Sequence, residues 1–161
     1  MDVSSTPGRG SHVKVYLPAV ASPDPAPLAQ PVLELSRGNG ETVLVVDDET
    51  RIREITTRAL TARGYKALSA KDGTEALATY VAHKEQIKAV VMDLMMPHMN
   101  GLQTIRALKK LNPQLKVVTT SGGPFDEARQ LESVRLDVNA FLPKPFDAES
   151  LLEKLSEVLS D

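Results

Sequence analysis

Four short polar features are spaced along the sequence so that they could serve one reaction centre: Asp47-Asp48, Asp93, Thr120-Ser121 and Lys144. Taken singly, an Asp pair after an apolar run is commonly a solvated helix entry, Ser-Gly-Gly a turn, and Lys-Pro a loop. Taken together, they supply three carboxylates, a hydroxyl and an ammonium. Three carboxylates brought to one spot raise one another's pKa unless a cation neutralises them. A hard divalent ion with oxygen ligands meets that need, and so small a protein donor set suits Mg²⁺ that keeps several waters. The backbone carbonyl of Met95, just past Asp93, is the expected additional ligand. Lys144 contributes a second, permanent positive charge. Such a set is suited to holding a phosphoryl group on a carboxylate, with Asp93 as the nucleophile that becomes an aspartyl phosphate.

For these residues to meet, they must end different strands of one sheet. From Thr42 onward, short apolar runs alternate with helix-period segments. The runs are Val43 to Val46, Tyr65 to Ser69, Ile87 to Met92, Leu115 to Val118 and Ala140 to Leu142. Several are β-branched and continuously apolar, as parallel strands covered on both faces require. Helices are predicted at Thr50 to Arg63, with Ile52, Ile55, Ala59 and Leu60 on one face and a stop at Gly64, and at Thr74 to His83 after Asp72-Gly73. Others are predicted at Gly101 to Leu111, at Asp126 to Leu136, and at Ala148 to Leu159, where Asp147 is the N-cap and Leu151, Leu152, Leu155 and Leu159 face inward. This alternation predicts an α/β fold, a doubly wound five-stranded parallel sheet with five helices. Right-handed crossovers put every strand's carboxyl end on one edge, where such folds bind ligands. Asp47-Asp48, Asp93, Thr120-Ser121 and Lys144 each fall at such an end.

Composition narrows the classes of function. The 161 residues suffice for one domain and a tail, with 42% hydrophobic and 25% charged residues. A net charge of -2 gives no electrostatic case for nucleic acid. The absence of cysteine excludes disulfides, thiolate zinc sites and cysteine nucleophiles. No apolar run approaches the roughly 20 residues that span a bilayer, and no signal pattern opens the chain, so no membrane partner and a cytoplasmic location are expected. Six of the 11 prolines lie in the first 31 residues, ahead of a Ser-Arg-Gly-Asn-Gly stretch. This sets the expected organisation: a tail at 1–18, a Pro/Gly-rich linker at 19–40 and the domain at 41–161. Val13 to Leu17 reads as a single strand without its sheet. None of His12, His83 and His98 has metal spacing or the charged helical surroundings of a phosphodonor.

The blocks Val-Leu-Val-Val-Asp47-Asp48-Glu49, Val-Met-Asp93-Leu-Met-Met-Pro97 with Asn100-Gly101, Ser121-Gly122 and Phe141-Leu-Pro-Lys144-Pro145 resemble the receiver domain of two-component response regulators, over Thr42 to Leu159. The resemblance implies the flavodoxin-like strand order 2-1-3-4-5. It implies that Asp47 and Asp48 bind Mg²⁺, that Asp93 accepts a phosphoryl group from a phosphohistidine, and that Lys144 pairs with it. It also implies a cis Lys144-Pro145 peptide. For switching, Ser121 would move toward the phosphoryl group and Phe141 would turn into the vacated space, altering the face of the predicted fourth helix, fifth strand and fifth helix. Thr120 competes for the hydroxyl role, but Ser121 precedes the small Gly122 as the family pattern requires. The chain departs from the family in Asp137-Val138, where Gly-Ala is usual. Met95 and Gly123 stand where some relatives orient a hydrolytic water, so slow self-dephosphorylation is expected.

The tail, Val3 to Pro18 with Gly8-Arg-Gly10-Ser11 and a strand ending Leu17-Pro18, is similar to the terminal block of histidine-kinase ATP-binding domains, with Val13 in place of the usual aromatic. Kinase end, linker and receiver in that order imply the carboxyl-terminal receiver of a hybrid sensor kinase. This segment alone is then expected to lack kinase activity and a DNA-binding output domain, and to relay to a histidine phosphotransfer protein or feed back on its own kinase. Two other classes compete: an aspartate-based phosphohydrolase, which needs an acid two residues past the nucleophile where this chain has Met95, and a non-phosphorylated adaptor, which has no use for the complete set of site residues.

Overall fold

The structure is a computed structural model that describes residues 2–8, 10–16, 37–97, 101–122 and 138–160. The chain divides into two units, Met1–Leu33 and Glu34–Asp161. In the first, β1 (Asp2–Thr6) pairs antiparallel with β2 (Gly10–Lys14), Val3 opposite Val13. The lone strand expected at Val13 to Leu17 lies instead at Gly10–Lys14, as half of a hairpin. Its partner, Asp-Val-Ser-Ser-Thr, has too little apolar alternation to stand out in sequence. Gly8 (φ 75°) and Gly10 (φ 92°) provide the left-handed backbone at the turn. Every described residue of the hairpin strands is exposed.

The second unit contains β3 (Thr42–Val46), α1 (Thr50–Ala62), β4 (Lys66–Ala70), α2 (Gly73–Ala82), β5 (Ile87–Asp93), α3 (Gly101–Leu111), β6 (Lys116–Ser121), β7 (Ala140–Pro143) and α4 (Ala148–Ser160). The five strands form one sheet in the order β4-β3-β5-β6-β7, parallel throughout, as expected. The predicted helix Asp126 to Leu136 lies outside the described residues.

Side-chain alternation along the strands builds two cores. Leu44, Val46, Val90, Met92 and Val117 face α2 and α3, with Tyr80, Ile105 and Leu108 packed on them. Val43, Val45, Ala89, Val91 and Val118 face the other way, against Leu60 of α1 and Leu151, Leu152, Leu155 and Val158 of α4. Two expected core positions differ. Ile55 is 64% exposed, because the buried stripe of α1 runs through Thr56 and Leu60 and leaves the preceding residue turned outward. In α4, Val158 is buried and Leu159 only partly so. Strand β6 continues past the predicted Val118 to Ser121. This agrees with the placing of Thr120-Ser121 at the strand's end, and Thr119 and Thr120 are both buried although they are not apolar.

Local chemistry sets the ends of the elements. The Asp72 carboxylate accepts the Glu75 N–H at 2.8 Å while Glu75 accepts the Lys71 N–H at 2.9 Å, a reciprocal cap that starts α2. Asp147 caps α4 as predicted, accepting the Ser150 N–H at 2.8 Å. Residues 38–40, expected in the linker, and Glu41 at the expected start of the domain are tied to the turn after α1 and the start of β4. The N–H groups of Gly38 and Gly40 donate to the carbonyls of Arg63 and Gly64, and Lys66 N–H donates to Glu41.

Candidate functional site

Strand register brings the polar residues together. Val46 of β3 pairs with Met92 of β5, so Asp47 and Asp93 each lie one step beyond that pair on adjacent strands. Asp93 pairs with Thr120, and Ser121 pairs with Pro143. One step further, the Lys144 N–H donates to the Ser121 carbonyl at 2.8 Å, which anchors the lysine backbone beside β6. The Lys144-Pro145 peptide is cis, as the resemblance implied.

From this position the Lys144 ammonium donates to Asp47 Oδ2 at 2.6 Å and to Asp93 Oδ2 at 2.7 Å. The other oxygen of each carboxylate is also held: Asp47 Oδ1 accepts the Glu49 N–H, and Asp93 Oδ1 the Met95 N–H, both at 2.9 Å. Both aspartates are 4% exposed. Charge-assisted bonds of this length at a nearly dry site fix the geometry tightly. Burial pulls the Lys144 pKa down, but the hydrogen bonds to Asp47 and Asp93 and the charges of both carboxylates outweigh it and hold it above its ordinary 10.5.

Asp48 completes the acidic group at the rim and is exposed. Ligand oxygens of Asp47, Asp48 and Asp93 all lie within 4.8 Å of one another. Three carboxylates against one ammonium leave two negative charges uncompensated at the cluster. An all-oxygen donor set with excess negative charge fits a hard divalent cation.

The remaining predicted residues lie around this centre. Met95 supplies the N–H on Asp93, and its side chain is 47% exposed. Ser121 is half-buried at the end of β6, while Thr120 is buried. Phe141 is half-buried against the core on the α2 and α3 side. Gly123 and Asp137 lie outside the described residues. Alongside the site runs an apolar groove of about 310 Å³ lined by Ile52, Ile55, Thr56, Gly122, Pro145 and Phe146, with Lys144 shared between groove and acidic cluster.

Two residues that sequence reasoning left without a role also touch the centre. Arg53 of α1 reaches back to the backbone of the Asp47-Asp48 pair. Gly101, the first residue of α3, packs so closely on β5 that a Cβ there would overlap the Asp93 carbonyl oxygen and lie 2.8 Å from Leu94 Cα. A basic residue one turn into the helix after an acidic pair was the available signal for Arg53. For Gly101 the signal was a glycine opening a helix.

The family model for the response regulator receiver domain matches residues 43–156, and the chain belongs to that family. It is a phosphoacceptor domain of two-component signalling. Over 161 aligned positions it is 34% identical to the sensor kinase CckA of Brucella abortus, an alignment covering 94% of this chain and 17% of that protein. It is 33% identical to the chemotaxis protein CheY of Thermotoga maritima, across 74% of this chain and 98% of that one. Among solved structures, it resembles the CheX-CheY-BeF3-Mg²⁺ complex from Borrelia burgdorferi with a TM-score of 0.68 at 25% identity, over 73% of this chain and 87% of that one. The chain therefore spans nearly all of a CheY but only a small part of the sensor kinase. Among the described residues, no helix is long and apolar enough to cross a membrane.

Proposed function

We propose that Asp93 is the residue phosphorylated in this receiver and that Asp47, Asp48 and Asp93, with the Met95 carbonyl, hold Mg²⁺ for the transfer. The carrying observation is that one ammonium lies 2.6 Å from Asp47 and 2.7 Å from Asp93, residues 97 and 51 positions away from it in sequence. The Borrelia CheX-CheY complex contains Mg²⁺ and BeF3, which supports the same cation for a similar fold.

In the reaction an Asp93 oxygen forms a bond to phosphorus as the N–P bond of a phosphohistidine breaks, and the departing imidazole takes up a proton. Lys144, already on Asp93 Oδ2, is within reach of the incoming phosphoryl oxygens and offsets their charge. The Met95 N–H keeps the Asp93 carboxylate from rotating away. Bound Mg²⁺ would supply further neutralisation of the charge built up among the three carboxylates. The product carries roughly 1.5 to 2 added negative charges. Ser121 turning toward them, with Phe141 following inward, then alters the surface around β7 and α4.

The donor is a phosphohistidine protein, and the groove beside Lys144, with its exposed Ile55, is the face offered to it. The parent protein is a hybrid sensor kinase, a reading supported by the CckA alignment, which covers 94% of this chain. Onward transfer goes to a histidine phosphotransfer protein or returns to the kinase.

Incubation with acetyl phosphate and Mg²⁺ followed by intact-mass measurement tests the assignment. One phosphoryl mass increment is expected, absent in Asp93→Asn and absent when Mg²⁺ is chelated. Rapid turnover without accumulation would favour a phosphohydrolase, and no modification at all would favour an adaptor.

A further inference from the structure

The Arg53 side chain makes contacts that a solvated helix arginine has no need of. Its Nη1 donates to the Asp47 carbonyl oxygen at 2.8 Å and to the Asp48 carbonyl oxygen at 3.2 Å, while Nη2 donates to Thr50 Oγ1 at 3.3 Å. Those two carbonyls belong to the peptide groups on either side of the Asp48 Cα. Holding both peptides fixes the backbone dihedrals of Asp48 and therefore the direction of its Cβ.

Asp48 is the member of the acidic group that needs this. Asp47 and Asp93 are each restrained at both oxygens, by Lys144 on one side and a backbone N–H on the other. Among the described residues, nothing donates a hydrogen bond to the Asp48 carboxylate, and Asp48 is exposed. Glu49, the N-cap of α1, makes no side-chain cap bond that would stiffen the loop from the helix side. Among the described residues, the guanidinium fork is the one side chain that grips the backbone on both sides of Asp48.

Resting on the reading of Asp47, Asp48 and Asp93 as cation ligands, we propose that Arg53 is a positioning residue for divalent-cation binding: its fork aims the Asp48 carboxylate by clamping the peptides that flank it. The alternative is that Arg53 is only a nearby positive charge. The two roles predict opposite signs. A bystander charge repels a cation, so its removal should tighten binding. A clamp preorganises the least restrained ligand, so its removal should weaken binding. Loss of the partners that orient metal ligands typically costs about tenfold or more in affinity. Both carbonyls are held by Nη1 and Thr50 by Nη2, so lysine in the same place would keep the charge but lose the second nitrogen and the planar geometry that locks the first against the two peptides.

Titration calorimetry with Mg²⁺ alone, at fixed ionic strength, separates these roles in the wild type, Arg53→Ala, Arg53→Lys and Arg58→Ala. The last removes an exposed arginine from the same helix and serves as the charge control. Metal-free melting curves accompany each variant. Arg53→Ala is expected to bind Mg²⁺ about tenfold more weakly with its metal-free melting little changed. Arg53→Lys should fall in the same direction by less, and Arg58→Ala should bind as well as the wild type or slightly better. Wild-type or tighter affinity in Arg53→Ala overturns the proposal. If Arg53→Ala does not fold, full wild-type affinity in Arg53→Lys overturns it, since charge without the fork would then suffice. Absence of Mg²⁺ binding in the wild type would instead remove the underlying assignment of the three aspartates.

Discussion

Replacing Lys144 by methionine keeps most of the side chain's volume and removes its charge. In the wild type that charge lies 2.6 and 2.7 Å from two carboxylates whose side chains are 5% and 6% exposed. Without it, two like charges no more than 4.8 Å apart face each other at a nearly dry sheet edge. With an effective dielectric constant of about 20, that repulsion is about 3.5 kcal/mol. This agrees with the roughly 3 to 5 kcal/mol lost when one partner of a buried ion pair is removed. Lys144 is itself 21% exposed, so water entering the gap moderates the loss and about 2 to 3 kcal/mol is the expected value. Urea unfolding followed by circular dichroism, in chelator and then in saturating Mg²⁺, measures it. The methionine variant should be destabilised by that amount in chelator and recover most of it with Mg²⁺, because a divalent cation offsets the same repulsion. A variant as stable as the wild type in chelator, or a deficit that Mg²⁺ leaves untouched, would refute the view that Lys144 and the acidic cluster form one electrostatic unit.

Three further outcomes follow from the geometry. Gly101→Ala forces α3 away from the Asp93 peptide and should cost about 1 to 3 kcal/mol, with slower labelling by acetyl phosphate than a surface Gly→Ala change produces. The Lys144 pKa is held above 10.5, so its contribution to stability is complete below that pH and disappears as pH rises through the higher folded value. Tyr65, raised from 10.0 by burial and by the charge of Glu41, loses stability in the same direction, so alkaline unfolding should be shallower in Lys144→Met but not abolished. Met95 offers a thioether where a water-orienting group would speed hydrolysis, so the phosphorylated domain should persist, and a phosphoryl half-life of seconds in the intact-mass assay would contradict this.

The strand and helix alternation and the five apolar runs were legible because parallel strands covered on both faces must be continuously apolar. The acidic pair, Asp93 and Lys144 stood out because charged residues ended those runs. Less visible was whatever depends on direction. The α1 pattern could not say that Ile55 turns outward, since a helix stripe is fixed only when it meets its sheet. The apolar run stopped at Val118 although Thr120-Ser121 marked the strand's end, and the burial of Thr119 and Thr120 depends on neighbours rather than on hydrophobicity. The partner of the amino-terminal strand was hidden in a Ser-Ser-Thr run with little apolar signal.

By itself, then, the sequence determined which residues lie at strand ends and that three of them are carboxylates and one an ammonium. Only the tertiary structure decided how those charges are shared. Strand register sets Asp47 and Asp93 side by side, and the anchoring of Lys144 to Ser121 puts one ammonium between them. The grip of Arg53 on the Asp47-Asp48 backbone and the contact of Gly101 with the Asp93 peptide were likewise settled by packing. Residue type fixes what a group can donate or accept, but the fold fixes what it meets.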